Sequence, residues 1–280
     1  MRTIHTEVIT QNIKEMCIEA NLVLGDDVST RILNAKVSEE SMIGKQILGQ
    51  LEENMNIAKQ DAIPICQDTG MAVVFIEVGQ DVHIEGDFLE DAINEGIRQG
   101  YQEGYLRKSV VSDPLLRVNT KDNTPGIIHY SIVKGDKVTI TVAPKGFGSE
   151  NMSRIIMLKP SDGTEGVVQA VLETVKLAGP NACPPLVVGV GIGGTFEKSA
   201  LLAKKALTRS LNEPSKFEHI AKLEKNLLTQ INKMGIGPGG LGGNTTALGV
   251  NIETYATHIA GLPVAVNICC HVNRHIKRSI

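Results

Sequence analysis

The sequence predicts an α+β fold: one large domain over residues 1–280, with mixed sheets surrounded by helices and a helical N-terminal region. Three observations predict it. The first sixty or so residues repeat apolar positions at helical spacing. From residue 71 onward, short β-branched runs are interspersed with helical blocks. No internal repeat, low-complexity tract or interdomain linker divides the chain. At 280 residues, 42% hydrophobic and 21% charged, the composition is that of a soluble globular protein. Aromatics make up 3% and Trp is absent, so the core must rest on Val, Ile, Leu and Ala. A net charge of −3 gives no electrostatic case for nucleic-acid binding. The N-terminal residues lack the apolar core of a secretory signal. No apolar run approaches the about 18–20 residues of a membrane helix. The expectation is a cytoplasmic protein with no membrane partner.

In chain order, Val8-Ile9, Ile13, Met16-Cys17 and Leu22 recur at helical spacing, as do Met42-Ile43, Ile47-Leu48, Leu51 and Met55. Asp26-Asp27-Val28-Ser29 reads as a helix start between the two blocks. Cys17 lies on the apolar stripe and reads as core filler. Residues 71–78 read as a strand and 88–102 as a helix. Residues 127–133 and 137–142 read as two strands joined by Lys134-Gly135-Asp136, a hairpin signal. Residues 164–178 are expected to be helical, 185–192 a strand, and 196–209 and 215–233 helices. The runs 245–252 and 262–269 read as strands.

Between these elements lie the polar breaks. Cys66 sits between Pro64 and Gly70 and is followed at once by Gln67, Asp68 and Thr69, an amide, a carboxylate and a hydroxyl. A thiol serving as core filler has apolar neighbours on both sides; this one does not. Cys183 lies in a second loop, flanked by Pro180, Pro184 and Pro185, and Cys269-Cys270 ends the last strand run. The five cysteines are odd in number, widely spaced and without a C-x-x-C pair, so neither a disulfide framework nor a zinc ribbon is indicated. Three thiolates at Cys66, Cys183 and Cys270 suit a soft metal or an iron–sulfur cluster, if the fold unites them. Three ligands on a four-iron cube leave one iron open, a Lewis-acid site.

Two glycine patterns compete for attention. Gly189-x-Gly191-x-x-Gly194 matches the dinucleotide fingerprint, with Glu213 near the expected acidic position. The chain beyond it continues helical, however, and the glycines equally well end a strand against a close neighbour. A nucleotide-binding module is therefore the remote alternative. Residues 235–244 hold six glycines in ten positions without the Gly-Lys-Ser/Thr ending of a phosphate loop.

Five spaced segments then speak together: Cys66-Gln67-Asp68-Thr69-Gly70, Leu106-Arg107-x-Ser109, Lys145-Gly146-x-Gly148-Ser149-x-Asn151, Ala182-Cys183-Pro184-Pro185 and Cys270-x-x-x-Arg274-x-Ile276-Lys277. From about residue 40 to the C-terminus the chain resembles the iron–sulfur (class I) fumarate hydratase family, which includes the α subunits of two-subunit fumarases and L-tartrate dehydratases. The resemblance implies a [4Fe–4S] cluster on Cys66, Cys183 and Cys270 with one open iron that coordinates substrate. Cys270, not Cys269, has the family's spacing to Arg274. It also implies substrate contacts from Gln67, Asp68, Arg107, Gly148 and His258, with Asp68 and His258 in catalytic roles. The implied reaction is hydration of fumarate to (S)-malate, a tricarboxylic acid cycle step, with L-tartrate dehydration as the alternative. Single-chain members carry a further C-terminal domain. A separate β subunit, in an α2β2 assembly, is therefore expected to supply it together with the catalytic base.

Overall fold

The computed structural model describes residues 2–280. The described residues distribute over two compact units: residues 2–25, 56–147 and 274–280 form the first, residues 26–55 and 148–273 the second. The α+β class with mixed sheets is as the sequence predicts.

In the first unit, β1 (Arg2–His5) runs parallel to β3 (Val82–Glu85), and α1 (Thr6–Leu22) follows β1 directly. The helical spacing predicts helix over residues 3 to about 60; β1 corrects that start. A four-stranded sheet has the order β10 (Ile276–Ser279), β5 (Val138–Lys145), β2 (Met71–Gly79), β4 (Ile127–Val133). The hairpin expected from Lys134-Gly135-Asp136 does not form between adjacent strands. β2 lies between the two, parallel to β4 and antiparallel to β5. The turn instead clasps the end of β2: Gly79 N–H donates to Lys137 O at 2.8 Å and Gln80 N–H to Val133 O at 2.8 Å. A Cβ at Gly79 would stand 2.4 Å from Gly135 O, so only glycine fits there. α1 and α4 (Leu89–Glu103) cover the sheet, burying Ile9, Ile13, Met16, Ile93, Ile97 and Tyr101 against Val74, Ile76, Ile140 and Val142. Each such aliphatic side chain stabilises the fold by about 1.5–3 kcal/mol. Cys17 belongs to this core, and burial pushes its thiol up to about 12.

The second unit is built on a sheet of order β6 (Arg154–Leu158), β9 (Leu262–Cys269), β7 (Leu186–Gly193), β8 (Ala247–Tyr255). Its helices are α2 (Asp26–Ser38), α6 (Gly163–Ala178), α7 (Phe196–Ala206) and α8 (Glu218–Asn232). α3 (Met42–Asp61) and the short α5 (Phe147–Glu150) carry the chain between the units. α6 and α8 pack their apolar stripes on β7, β8 and β9, around Val171, Val175, Leu227, Val188, Val250 and Val266.

The 189–194 glycines are explained by α7. A Cβ on Gly189 would lie 2.3 Å from Ala203 O, and one on Gly191 would lie 2.0 Å from Ser199 O. The helix backbone rests directly on the strand, and glycine is the residue that permits it. β8 returns parallel to β7 only after two helices, not one.

Candidate active site: the cysteine loops and their supports

After α3 the chain turns at Ala62, whose φ is 52°, and Ile65 is buried with its N–H on Asn21 O at 2.9 Å. Cys66 is then half-buried, Gln67 exposed and Asp68 half-buried. The following residues are gripped from several sides. The fully buried Tyr101 brings its hydroxyl to 2.8 Å from Thr69 O and 3.1 Å from Gly70 O. Burial drives the Tyr101 phenol far above its ordinary pKa, so it acts only as a neutral donor. Thr69 Oγ1 accepts the Arg107 N–H at 2.9 Å and donates to Arg107 O at 3.2 Å. Asn123, fully buried, donates to Gly70 O at 3.2 Å and accepts from Ser109 N–H at 2.7 Å. The Leu-Arg-x-Ser segment is thereby fixed to the Cys66 loop, with the Arg107 side chain left exposed.

Asp68 is anchored at both ends. Its Oδ1 accepts the Gly70 N–H at 3.0 Å and its Oδ2 accepts the Phe147 N–H at 2.8 Å. A Cβ on Gly146 would stand 3.0 Å from Oδ2, which accounts for the glycine in Lys145-Gly146. The buried Arg274 donates through Nη2 to Asp68 O and through Nε to Pro144 O at 3.2 Å. Asp68 thus keeps one lone pair on each oxygen for a ligand or proton.

In the second unit, Cys183 ends the 3-10 turn Gly179–Ala182 in a left-handed conformation, φ 54°, and is exposed. Its N–H bonds Pro180 O at 3.1 Å. Cys270 follows the last residue of β9 and is half-buried, whereas Cys269 lies within the strand and is buried. Burial therefore distinguishes the two thiols. The Nδ1 of His271 lies 3.3 Å from Cys183 O, so the Cys183 and Cys270 segments meet in this unit. Gly148 is exposed, with nothing within 4 Å of its Cβ position. His258 occupies the exposed turn between β8 and β9; its Nδ1 accepts the Ala260 N–H at 3.2 Å, which leaves Nε2 to face solvent.

The 235–244 glycine tract is a support, not a phosphate cradle. The Glu39 carboxylate, 1% exposed, accepts N–H bonds from Glu40 and Ser41 at 3.0 Å and from Asn244 and Thr245 at 2.9 Å. A Cβ on Gly243 would stand 2.7 Å from Glu39 Oε1. Burial pushes the Glu39 pKa up, but the bonds from Asn244, Ser41, Thr245 and Glu40 prevail and hold it below the carboxylate range. The tract in turn holds the Cys183 loop, through Gly239 N–H on Pro184 O at 2.9 Å. Tyr101, Asn123, Arg274 and Glu39 all escaped the sequence reading as supports. Tyr101 falls without distinction inside the helical run 88–102, and Arg274 is visible only as a motif position.

The five cysteines form no disulfide. Cys17 and Cys269 are buried, while Cys66, Cys183 and Cys270 keep some exposure in polar or proline-bound loops. Among the described residues no three His, Cys, Asp or Glu side chains converge on a single ion site. Thiolates on a cubane bind different irons, so their sulfurs stand farther apart than the ligands of one ion. Thiolates are the donors an iron–sulfur cluster takes, and Cys66, Cys183 and Cys270 are the cysteines that lie outside the core.

Comparison with known proteins identifies the family. A 43% identical relative over 278 residues is the "Putative L(+)-tartrate dehydratase subunit alpha" of Methanocaldococcus jannaschii, with 96% of this chain and 97% of the relative covered. The "L(+)-tartrate dehydratase subunit alpha" of Escherichia coli (strain UTI89 / UPEC) is 35% identical over 253 residues, covering 89% of this chain and 83% of the relative. The protein of the same name from Shigella boydii serotype 4 matches at the same identity and coverage. A family model described as Fumarate hydratase (Fumerase) matches residues 10–279, across both units and every loop described above. The chain belongs to the fumarate hydratase (Fumerase) family.

Proposed function

We propose that the chain is the α subunit of a [4Fe–4S]-dependent hydro-lyase that reversibly hydrates fumarate to (S)-malate, with a separate β subunit completing the active site. The observation that carries this reading is the setting of the three candidate ligands. Cys66, Cys183 and Cys270 sit outside the core on braced loops, and the first is followed directly by the doubly anchored Asp68. Cys66, Cys183 and Cys270 hold the cluster. When bound, its open iron supplies Lewis-acid polarisation of the hydroxyl that leaves or adds. Arg107, fixed by its backbone and exposed at its guanidinium, pairs with a substrate carboxylate in a two-pronged grip. Gln67 and the Gly148 N–H orient the same dicarboxylate. Asp68, with a lone pair free on each oxygen, and His258, through Nε2, orient or move protons. The β subunit contributes the remaining basic groups and the catalytic base, in an α2β2 assembly.

A second reading is dehydration of L-tartrate, favoured by the names of the relatives. The residue chemistry serves both, since each reaction makes or breaks a C–O bond next to a carboxylate. Anaerobic reconstitution with the complementary subunit tests both. The expected result is a brown protein with bound iron and sulfide that turns over fumarate faster than L-tartrate. Faster turnover of tartrate would transfer the assignment. Absence of iron and of both activities would refute the hydro-lyase.

A further inference from the structure

Arg274 is unusual among the buried side chains. It is 4% exposed, its guanidinium forms no ion pair among the described residues, and its Nη1 is buried without a hydrogen-bond partner. Burying a cation without a counter-charge is costly, and an apolar residue of similar size would serve stability as well or better. The reason for arginine here must lie in what the planar fork reaches. It reaches two main-chain carbonyls from separate segments, that of Asp68 in the Cys66 loop and, at 3.2 Å, that of Pro144 near the end of β5.

Those two bonds close a circuit. From Pro144 the chain runs through Lys145 and Gly146 to Phe147, whose N–H binds Asp68 Oδ2 at 2.8 Å. Asp68 is therefore held by its carbonyl from one side and by its carboxylate from the other. Downstream, Tyr101 and Asn123 hold the Thr69 and Gly70 carbonyls without help from Arg274. Loss of Arg274 would leave the Asp68–Thr69 peptide with one bond, Thr69 N–H to Gln67 O at 3.2 Å, and so loosen it while the rest of the loop and the sheet beneath it stay in place.

We propose that Arg274 is a positioning residue for the hydro-lyase reaction, acting by locking the Asp68 peptide to residues 144–147 at the end of β5, so that Gln67 and Asp68 present one arrangement to substrate. This rests on the function proposed above. Neither Coulombic attraction for substrate nor cluster assembly is its role.

The test uses the full chain with its complementary subunit, reconstituted anaerobically, as wild type, Arg274→Gln, Arg274→Lys and the control Asn273→Ala. Asn273 is buried and donates to Leu207 O at 3.0 Å, so its truncation removes a buried bond away from Asp68. Displacing a catalytic group by about 1 Å costs on the order of 100-fold. Arg274→Gln is therefore expected to lose about 30- to 100-fold in kcat/KM, mostly in kcat, with KM moving less than about threefold. Iron and sulfide content should stay at the wild-type level. Arg274→Lys keeps the charge without the fork and should remain impaired. Asn273→Ala should keep its kcat even at an equal loss of melting temperature. Full activity in Arg274→Lys would overturn the proposal in favour of charge. A loss in Arg274→Gln that tracks iron content, or that Asn273→Ala reproduces at equal melting temperature, would overturn it in favour of a structural role. A wild-type enzyme inactive on both dicarboxylates would refute the underlying function, an outcome separate from an active wild type matched by its variants.

Discussion

Asp68 already spends one lone pair of each oxygen on a backbone N–H, so its carboxylate cannot swing without breaking both bonds. Asp68→Asn replaces one acceptor by a donor facing a donor and removes the charge. The expected outcome is a fall in kcat of about 10²- to 10⁴-fold, the usual range for a lost acid–base group, at full iron content. Steady-state kinetics beside iron analysis would show it, and near-normal kcat would remove Asp68 from the chemistry. Cys66 is tested by colour and metal. As a half-buried loop residue it contributes little to packing, so Cys66→Ala should lose iron, sulfide and visible absorption while the far-UV circular dichroism is unchanged. Retention of a full cluster in that variant would displace Cys66 from the ligand set.

At the scale of elements, the glycines mark where backbones meet. Gly191→Ala would place a methyl 2.0 Å from Ser199 O, and overpacking of this kind costs about 1–3 kcal/mol in a urea melt. An unchanged midpoint would contradict the close seating of α7 on β7. The glycine tract and Glu39 make a pH-sensitive joint. The folded pKa of Glu39 is depressed below the ordinary carboxyl value of 4.5, so its stabilising contribution is fully present above that value and is lost as pH falls through the folded pKa. Glu39→Gln cannot satisfy four N–H donors and should destabilise by about 1–3 kcal/mol at neutral pH. It should also flatten the acid limb of the stability curve. Equal acid sensitivity in wild type and variant would show that the tract is held by other means. Helices and central strands were legible in the sequence because each buries a stripe or face with its own period. The short strands β1, β3, β6 and β10 were not. Three span four residues and β6 five, too few for alternation to stand out, and each exists because a neighbour offers an edge.

For the whole molecule, the expectation is an α chain that assembles its cluster alone but turns over poorly until the complementary subunit is added. Titrating that subunit against a fixed amount of α chain should raise activity to a plateau without changing iron content. Strong fumarate hydration by the α chain alone would contradict the division of the site.

The sequence nominates its candidate site residues through five spaced segments that resemble a known family, and their roles are those proposed above. Cys66, Gln67, Asp68, Arg107, Gly148, Cys183, His258 and Cys270 are those candidates. The α+β class was equally determined, by the alternation of two periods. Strand pairing was not: the turn at 134–136 has hairpin chemistry, yet β2 enters between β4 and β5, because pairing is settled by which edges compete for one strand. The sequence already allows the 189–194 glycines to end a strand against a close neighbour, but only the tertiary structure shows that the neighbour is α7. Buried supports such as Glu39, Asn123 and Arg274 became visible only in three dimensions. Their partners are main-chain N–H and C=O groups, which every residue carries and which no sequence motif can record.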